Sequence, residues 1–249
     1  MAKVLEICID SLASARAAIA GGADRLELCS ALLAGGLTPH EELLRQIRGE
    51  SQIPIRCLMR PRPGDFLYGP EELDMMYRQI LRLQAAGADG FAIGCLTAEG
   101  DLDKKAMKPL IDACGNKGIT LHRCIDVSRD PERTYLDALD MGIDTVLTSG
   151  GAASCTLGKE TIGKLLTLRD RKNGPEVLIG AGVSAGVIRS FRQEHPGARA
   201  FHMSGKTERE SAMRFRREGV PMGLPGLDEW HIQQTDQGAV RAARAELDR

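Results

Sequence analysis

Gly22-Ala23-Asp24-Arg25-Leu26-Glu27 decides the fold, because the chain repeats it. Gly87-Ala88-Asp89-Gly90-Phe91-Ala92, Gly142-Ile143-Asp144-Thr145-Val146-Leu147 and Gly197-Ala198-Arg199-Ala200-Phe201-His202 share its form. Gly118-Ile119-Thr120-Leu121-His122 is a version one residue shorter. Each glycine ends a helical pattern and precedes a short apolar run. A left-handed glycine just past a helix, then a tight turn into a strand, leaves this signature.

Working outward, strands are expected at 4–8, 25–29, 55–59, 90–94, 119–123, 145–148, 176–180 and 200–203. A helical segment follows each. In 71–86, Leu73, Met76, Tyr77, Ile80 and Leu83 recur at helical spacing. Ser11, Thr38-Pro39 and Ser184 mark helix starts before 12–20, 40–48 and 185–194. Strict alternation implies parallel strands with right-handed crossovers. Eight units in 249 residues favour one α/β domain over 1–249, a (β/α)8 TIM-type barrel. An open doubly wound sheet is the alternative. Residues 218–237 read as an irregular loop, and 238–247 as a final helix.

Composition narrows the partners. Basic residues number 33 and acidic residues 34, a formal charge of −1. That balance lacks the footprint of a general nucleic-acid binder or a membrane-surface protein. No apolar run approaches the roughly 20 residues of a membrane span. Aromatic residues are only 4%, so aliphatic side chains must build the core. Seven cysteines, an odd number without a secretory h-region, argue for a reducing cytoplasm rather than a disulfide framework.

The repeat also aligns the strands. Glu27, Ala92, Leu147, His202 and His122 fall at one register, and Leu5-Glu6-Ile7-Cys8 mirrors Leu26-Glu27-Leu28-Cys29. Residues at i and i+2 share a face. Leu26, Phe91, Leu121, Val146 and Phe201 make the apolar face toward the helices. Glu6, Glu27, His122 and His202 then share the lumen, with Cys8, Cys29 and Cys124 nearer the mouth. Buried carboxylates need partners, and Arg60 and Arg62 of Arg60-Pro61-Arg62-Pro63-Gly64-Asp65-Phe66 are the expected ones. Such a set suits acid–base work on a small anion. An internal ion-pair layer is the structural alternative.

Cys8 and Cys29 sit on neighbouring strands, so their thiols are candidate ligands for Cu(I) or plain packing residues. The loops Thr148-Ser149-Gly150-Gly151, Gly180-Ala181-Gly182-Val183-Ser184 and Ser204-Gly205-Lys206 lie where barrels bind phosphate. Ser149, Gly150, Gly182, Ser204 and Gly205, with Arg62, are candidate anion contacts; ordinary tight turns are the alternative.

Several stretches together resemble the CutC copper homeostasis family. They are Leu5-Glu6-Ile7-Cys8-Ile9-Asp10-Ser11, Gly21-Gly22-Ala23-Asp24-Arg25-Leu26-Glu27-Leu28-Cys29-Ser30, Gly35-Gly36-Leu37-Thr38-Pro39, the Arg60–Phe66 stretch, His122-Arg123 and Val146-Leu147-Thr148-Ser149-Gly150. His202 and Met213-Arg214-Phe215-Arg216 match near the C-terminus. The chain departs from the pattern at Pro63 and adds a thiol at Cys124. The resemblance implies a cytoplasmic barrel that forms homo-oligomers and handles copper, with Cu(I) on Cys8 and Cys29.

Two functions are therefore expected to compete. One is copper homeostasis with Cu(I) bound by Cys8 and Cys29. The other is an enzyme acting on a small anionic or phosphorylated metabolite. Its candidate catalytic residues are Glu6, Glu27, Arg60, His122 and His202. A catalytically empty barrel serving as a binding module is a third possibility.

Overall fold

The computed structural model describes residues 3–220, 222–223 and 228–249. Eight parallel strands close into a barrel in chain order. They are β1 (Val4–Ile9), β2 (Arg25–Leu28), β3 (Ile55–Leu58), β4 (Gly90–Ile93), β5 (Gly118–Leu121), β6 (Thr145–Thr148), β7 (Glu176–Ile179) and β8 (Ala200–Met203). The helices are α1 (Leu12–Ala20), α2 (Glu41–Glu50), α3 (Pro70–Ala85), α4 (Lys104–Cys114), α5 (Pro131–Asp140), α6 (Lys159–Lys172), α7 (Ala185–Glu194) and α8 (Gln237–Asp248). The (β/α)8 barrel read from the glycine repeat is the observed fold.

The repeated motif has a structural reason at two of its positions. Gly22, Gly87 and Gly142 have φ of +93°, +105° and +74°, the left-handed region open to glycine. The aspartate two residues on then accepts an N–H from the first or second residue of the preceding strand. Asp24 binds Leu5 N–H at 2.7 Å, Asp89 binds Ile55 N–H at 2.9 Å, and Asp144 binds Ile119 N–H. Each odd strand is thereby tied to its even neighbour at the barrel floor. The fourth repeat carries Arg199 instead, which bonds Glu176 of β7 at 2.6 Å. In the short repeat the left-handed glycine is Gly115, at φ +60°, and not Gly118.

Gly118 serves a different purpose. Arg56 crosses the lumen floor to Asp144, at 2.6 Å, and to Thr120. A Cβ on Gly118 would lie 2.6 Å from Arg56 Nη2, and one on Gly90 only 2.5 Å from the Gly118 carbonyl oxygen. The two glycines leave the space that the guanidinium fills.

The face assignment holds. Leu5, Ile7, Leu26, Phe91, Leu121, Val146 and Phe201 join the main core, with Met76, Ile80 and Leu83 of α3. Cys8, Cys29, Leu58 and Ala92 form a separate cluster, and Leu147, Leu178 and Ala200 another. Cys124 does not reach the mouth. It lies in a 3-10 turn and is buried in the main core.

The expected loop over 218–237 is partly a strand. β9 (Lys206–Glu210) pairs antiparallel with β10 (His231–Thr235). Thr235 N–H anchors the pair to Ser14 Oγ of α1 at 3.1 Å. Lys206-Thr207-Glu208-Arg209-Glu210 is wholly exposed and polar, so no apolar alternation announces it. Residues 221 and 224–227 of that stretch lie outside the described residues. Ser11 and Ser184 cap α1 and α7 as expected. Thr38 does not cap α2; its hydroxyl accepts the Arg60 N–H at 2.9 Å.

A Gly90→Ala variant is expected to lose about 1–3 kcal/mol, the cost of overpacking a filled core. Urea unfolding checks this. An unchanged midpoint would mean that the lumen floor is loose.

Candidate active site

The site begins with the register of β1. Glu6 is level with His202 on β8, and Cys8 is level with Glu27 on β2. Side chains at these positions converge in the lumen. His202 Nδ1 lies 2.8 Å from Glu6 Oε1, and its Nε2 lies 3.8 Å from Glu27 Oε2. Single ligand atoms of Glu6, Glu27 and His202 lie within 4.8 Å of one another. Glu6 is only 1% exposed, so its charge demands compensation.

Arg25 supplies it, by an ion pair to Glu6 Oε2. This corrects the expected partnership with Arg60 and Arg62. Arg25 stands two residues before Glu27 on the same strand, so the alternation that placed Glu27 in the lumen could have placed Arg25 there too.

The two carboxylates differ sharply. Burial pushes Glu6 up, but Arg25 and the His202 hydrogen bond outweigh it and hold the carboxyl at about 2. Burial raises Glu27, and the charge of Glu6 raises it further, against the pull of His202. For His202, burial opposes the charge, yet Cys8, Glu27 and Glu6 together raise it well above its ordinary value. The trio is thus an ionised carboxylate, an imidazolium and a second carboxylate primed to take a proton.

Above the trio opens a pocket of about 570 Å³ at the C-terminal end of the barrel. Glu27, His202, Cys8, Cys29, Arg60 and His122 line it, and so do Gly182 and Ser204. Glu6 lies beneath. Cys8 is beside His202, Cys29 Sγ is 3.4 Å from Glu27 Oε2, and the two cysteines share one buried cluster. Burial pushes the Cys29 thiol well up, and the Glu27 charge adds to this.

Four expected anion contacts lie outside the pocket lining. Arg62 is engaged by Glu72 at 2.6 Å and Asp65 at 3.0 Å. Asp126 already fills the loop after β6, accepting the N–H groups of Ser149 and Gly151. Gly150 N–H turns inward to Thr148 Oγ1 at 2.8 Å. Gly205 packs toward Val240 and Met203. The loop after β7 differs. Ala181 and Gly182 have φ of +70° and +79°, and both line the pocket. A non-glycine residue held left-handed is strained, as is common where loops serve a site. Arg123, Asp126 and Lys206 also line the mouth.

A CutC family model matches residues 3–207. The chain belongs to the CutC family. A CutC family protein of Chromobacterium violaceum is 41% identical over 250 residues and covers all of both chains. One from Xanthomonas campestris is 45% identical over 204 residues, spanning 81% of this chain and 83% of its own. A crystal structure from Streptococcus agalactiae, described as a candidate copper homeostasis protein CutC, superposes with a TM-score of 0.75 at 25% identity. It covers 81% of this chain and 98% of that one. Phosphoribosyl anthranilate isomerase from Thermotoga maritima aligns over the whole chain and 99% of its own, with a TM-score of 0.57 at 13% identity. That is a likeness of fold alone.

Glu6→Gln is expected to cost about 3–5 kcal/mol, because it strands Arg25 and His202 without their shared anion. The folded-state value of Glu6 is depressed. Its contribution is therefore complete above about 4.5 and is lost as pH falls toward about 2. Urea unfolding across pH 2–6 should show this acid limb in the parent chain and a shallower one in the variant.

Proposed function

We propose that this CutC family member is an acid–base catalyst for a small anionic metabolite bound at the mouth of its barrel. Arg60 carries the reading. Its guanidinium is held by the carbonyls of Ala34, Gly36 and Gly64. Among the described residues it ion-pairs with no carboxylate, yet it lines the same pocket as Glu27 and His202. A half-sheltered cation without a counter-ion beside a proton-transfer pair suits an anionic ligand. Lys206 adds charge at the rim, and about 570 Å³ suits a small metabolite.

The roles follow from position. Glu27 takes the proton, since its raised affinity makes it a better base than a free carboxylate. His202 returns it from Nε2, while Glu6 fixes the ring through Nδ1. Arg60 and Lys206 hold the anion, with Gly182 and Ser204 on the loops beside it.

A second reading, Cu(I) handling, is favoured by one observation. Cys8 and Cys29 share one pocket and one buried cluster. Thiolates suit Cu(I), whereas the Glu6–Glu27–His202 set suits a harder ion. Copper is then cargo rather than cofactor. In either reading the chain works in the cytoplasm, as a reducing compartment fits seven unpaired cysteines. Among the described residues no helix is long and apolar enough to cross a membrane. Homo-oligomerisation belongs to the same reading, supported by the exposed Met213, Phe215 and Met222.

A thermal-shift panel of small carboxylates and phosphate esters is expected to stabilise the parent chain but not Arg60→Met. A metabolite that binds should turn over about 10²–10⁴-fold more slowly in Glu27→Gln. No stabilisation by any anion sinks the catalytic reading. Unchanged Cu(I) affinity in a Cys8→Ser/Cys29→Ser double variant, titrated under reducing conditions, sinks the copper reading.

A further inference from the structure

His122 follows β5 directly and forms part of the pocket wall, with only 3% of its surface exposed. Its Nδ1 accepts the Cys124 N–H at 3.2 Å. A ring nitrogen that accepts carries no proton, so the ring proton belongs to Nε2. Nε2 is buried and has no hydrogen-bond partner among the described residues. A buried donor left unmet is costly, and native structures keep such groups where a ligand completes them.

The surroundings fix the state of this ring. Phe66 lies against it with centroids 4.9 Å apart, and the Arg60 guanidinium sits 5.3 Å from the centroid of the same phenyl ring. Burial, joined by the Arg60 charge, lowers His122 to about 3. The ring is neutral at physiological pH and offers one N–H. It is no proton carrier and no counter-charge. Arg60, whose charge adds to that lowering, is well placed to stabilise a negative charge forming beside the ring.

We infer that the pocket takes a small anion bearing a carbonyl group, with its oxygen on His122 Nε2–H, and that the barrel moves a proton at the carbon next to that carbonyl. This rests on the acid–base reading and names its substrate class. Glu27, as carboxylate, removes the proton from that carbon. The C–H electron pair becomes the new C=C bond, and the carbonyl π pair moves onto oxygen as an enolate. His122 donates to that oxygen, and Arg60 stabilises its charge. The proton then returns to the same carbon and the oxygen pair re-forms the carbonyl, so no oxidant or reductant is consumed. A neutral imidazole binds a ground-state carbonyl weakly and an enolate strongly, the differential that accelerates reactions. Neutral histidine beside a carboxylate base is a known solution to enolisation on this fold.

The test uses the full chain with ¹⁵N-labelled histidine, with pyruvate and dihydroxyacetone phosphate as carbonyl probes and inorganic phosphate as control. The nitrogen shifts should report a neutral Nε2–H ring from pH 5 to 8. The carbonyl probes should move the Nε2–H proton signal downfield, and phosphate should not. In D₂O, deuterium exchange beside the probe carbonyl should exceed the buffer rate at least ten-fold and be lost in His122→Leu. His122→Gln, which keeps an N–H donor, should retain part of it, and circular dichroism confirms that both variants fold. A His122 ring that titrates within that range, or carries its proton on Nδ1, overturns the inference. So do carbonyl probes that shift His202 but leave His122 unmoved and exchange at the buffer rate. That outcome leaves the acid–base reading standing, whereas probes that shift no pocket signal overturn both.

Discussion

A carboxylate sealed inside a barrel is the constraint on which the rest of this structure turns. Glu6 has almost no contact with water, and a lone buried anion would be neutralised or unfold the site. It stays ionised because β1 is paired on both sides. Its β2 neighbour supplies Arg25, and its β8 neighbour supplies His202. Those strands are the first, second and last of the barrel. The pairing therefore spans the seam where the sheet closes on itself. Closure and site are one problem: without β8 against β1, His202 has no carboxylate, and Glu6 keeps only half of its compensation.

Much of this was legible in the sequence, for a physical reason. Strands with an apolar face toward the helices and a polar face toward the lumen leave a period of two, and the glycine repeat fixes its phase. Glu6, Glu27 and His202 could be placed in one lumen because a one-residue slip would have sent Leu26 and Phe201 there instead. What escaped was of two kinds. Arg25 lies in the expected strand and follows the same period, but the repeat aligns the strands at the register of Glu27, so the lumen position one pleat before it goes unread. Ser149 and Gly150 were different. Their loop has the composition of an anion site, and it is one, but the anion is the chain's own Asp126. Pairing between a loop and a residue more than twenty positions away leaves no local trace. Nor does β9, whose five exposed polar residues are held by backbone hydrogen bonds rather than by an apolar face.

The arginines of the lumen divide by what holds them. Arg25 and Arg56 meet carboxylates within the protein, Glu6 and Asp144, and belong to the architecture. Arg62 meets Glu72 and Asp65 and ties down its own loop. Arg60 alone of these four meets no carboxylate among the described residues and is held by carbonyl dipoles instead. Such contacts orient a guanidinium without cancelling its charge. The same pocket is lined by His122, whose buried Nε2 has no partner among the described residues. Sites are built by withholding partners, and here a cation lacks a counter-ion and a neutral donor lacks an acceptor on two residues that flank Phe66 in one pocket.

Glu27 is where the two candidate chemistries meet. It accepts the Cys29 thiol hydrogen on one side and faces His202 on the other. For Cu(I) to occupy Cys29, the thiol must first shed a proton that burial and Glu27 both help it keep. The thiolate so formed would lie against a carboxylate, and only the arriving metal could relieve that repulsion. An organic anion faces the opposite balance. It finds the uncompensated Arg60 and a base already primed by the same burial that hinders the thiol. As built, the low dielectric around Glu27 favours proton transfer over thiolate formation, because burial raises the proton affinity of both Glu27 and Cys29. A carboxylate gains strength as a base from that shift, whereas a thiol loses its readiness to bind metal.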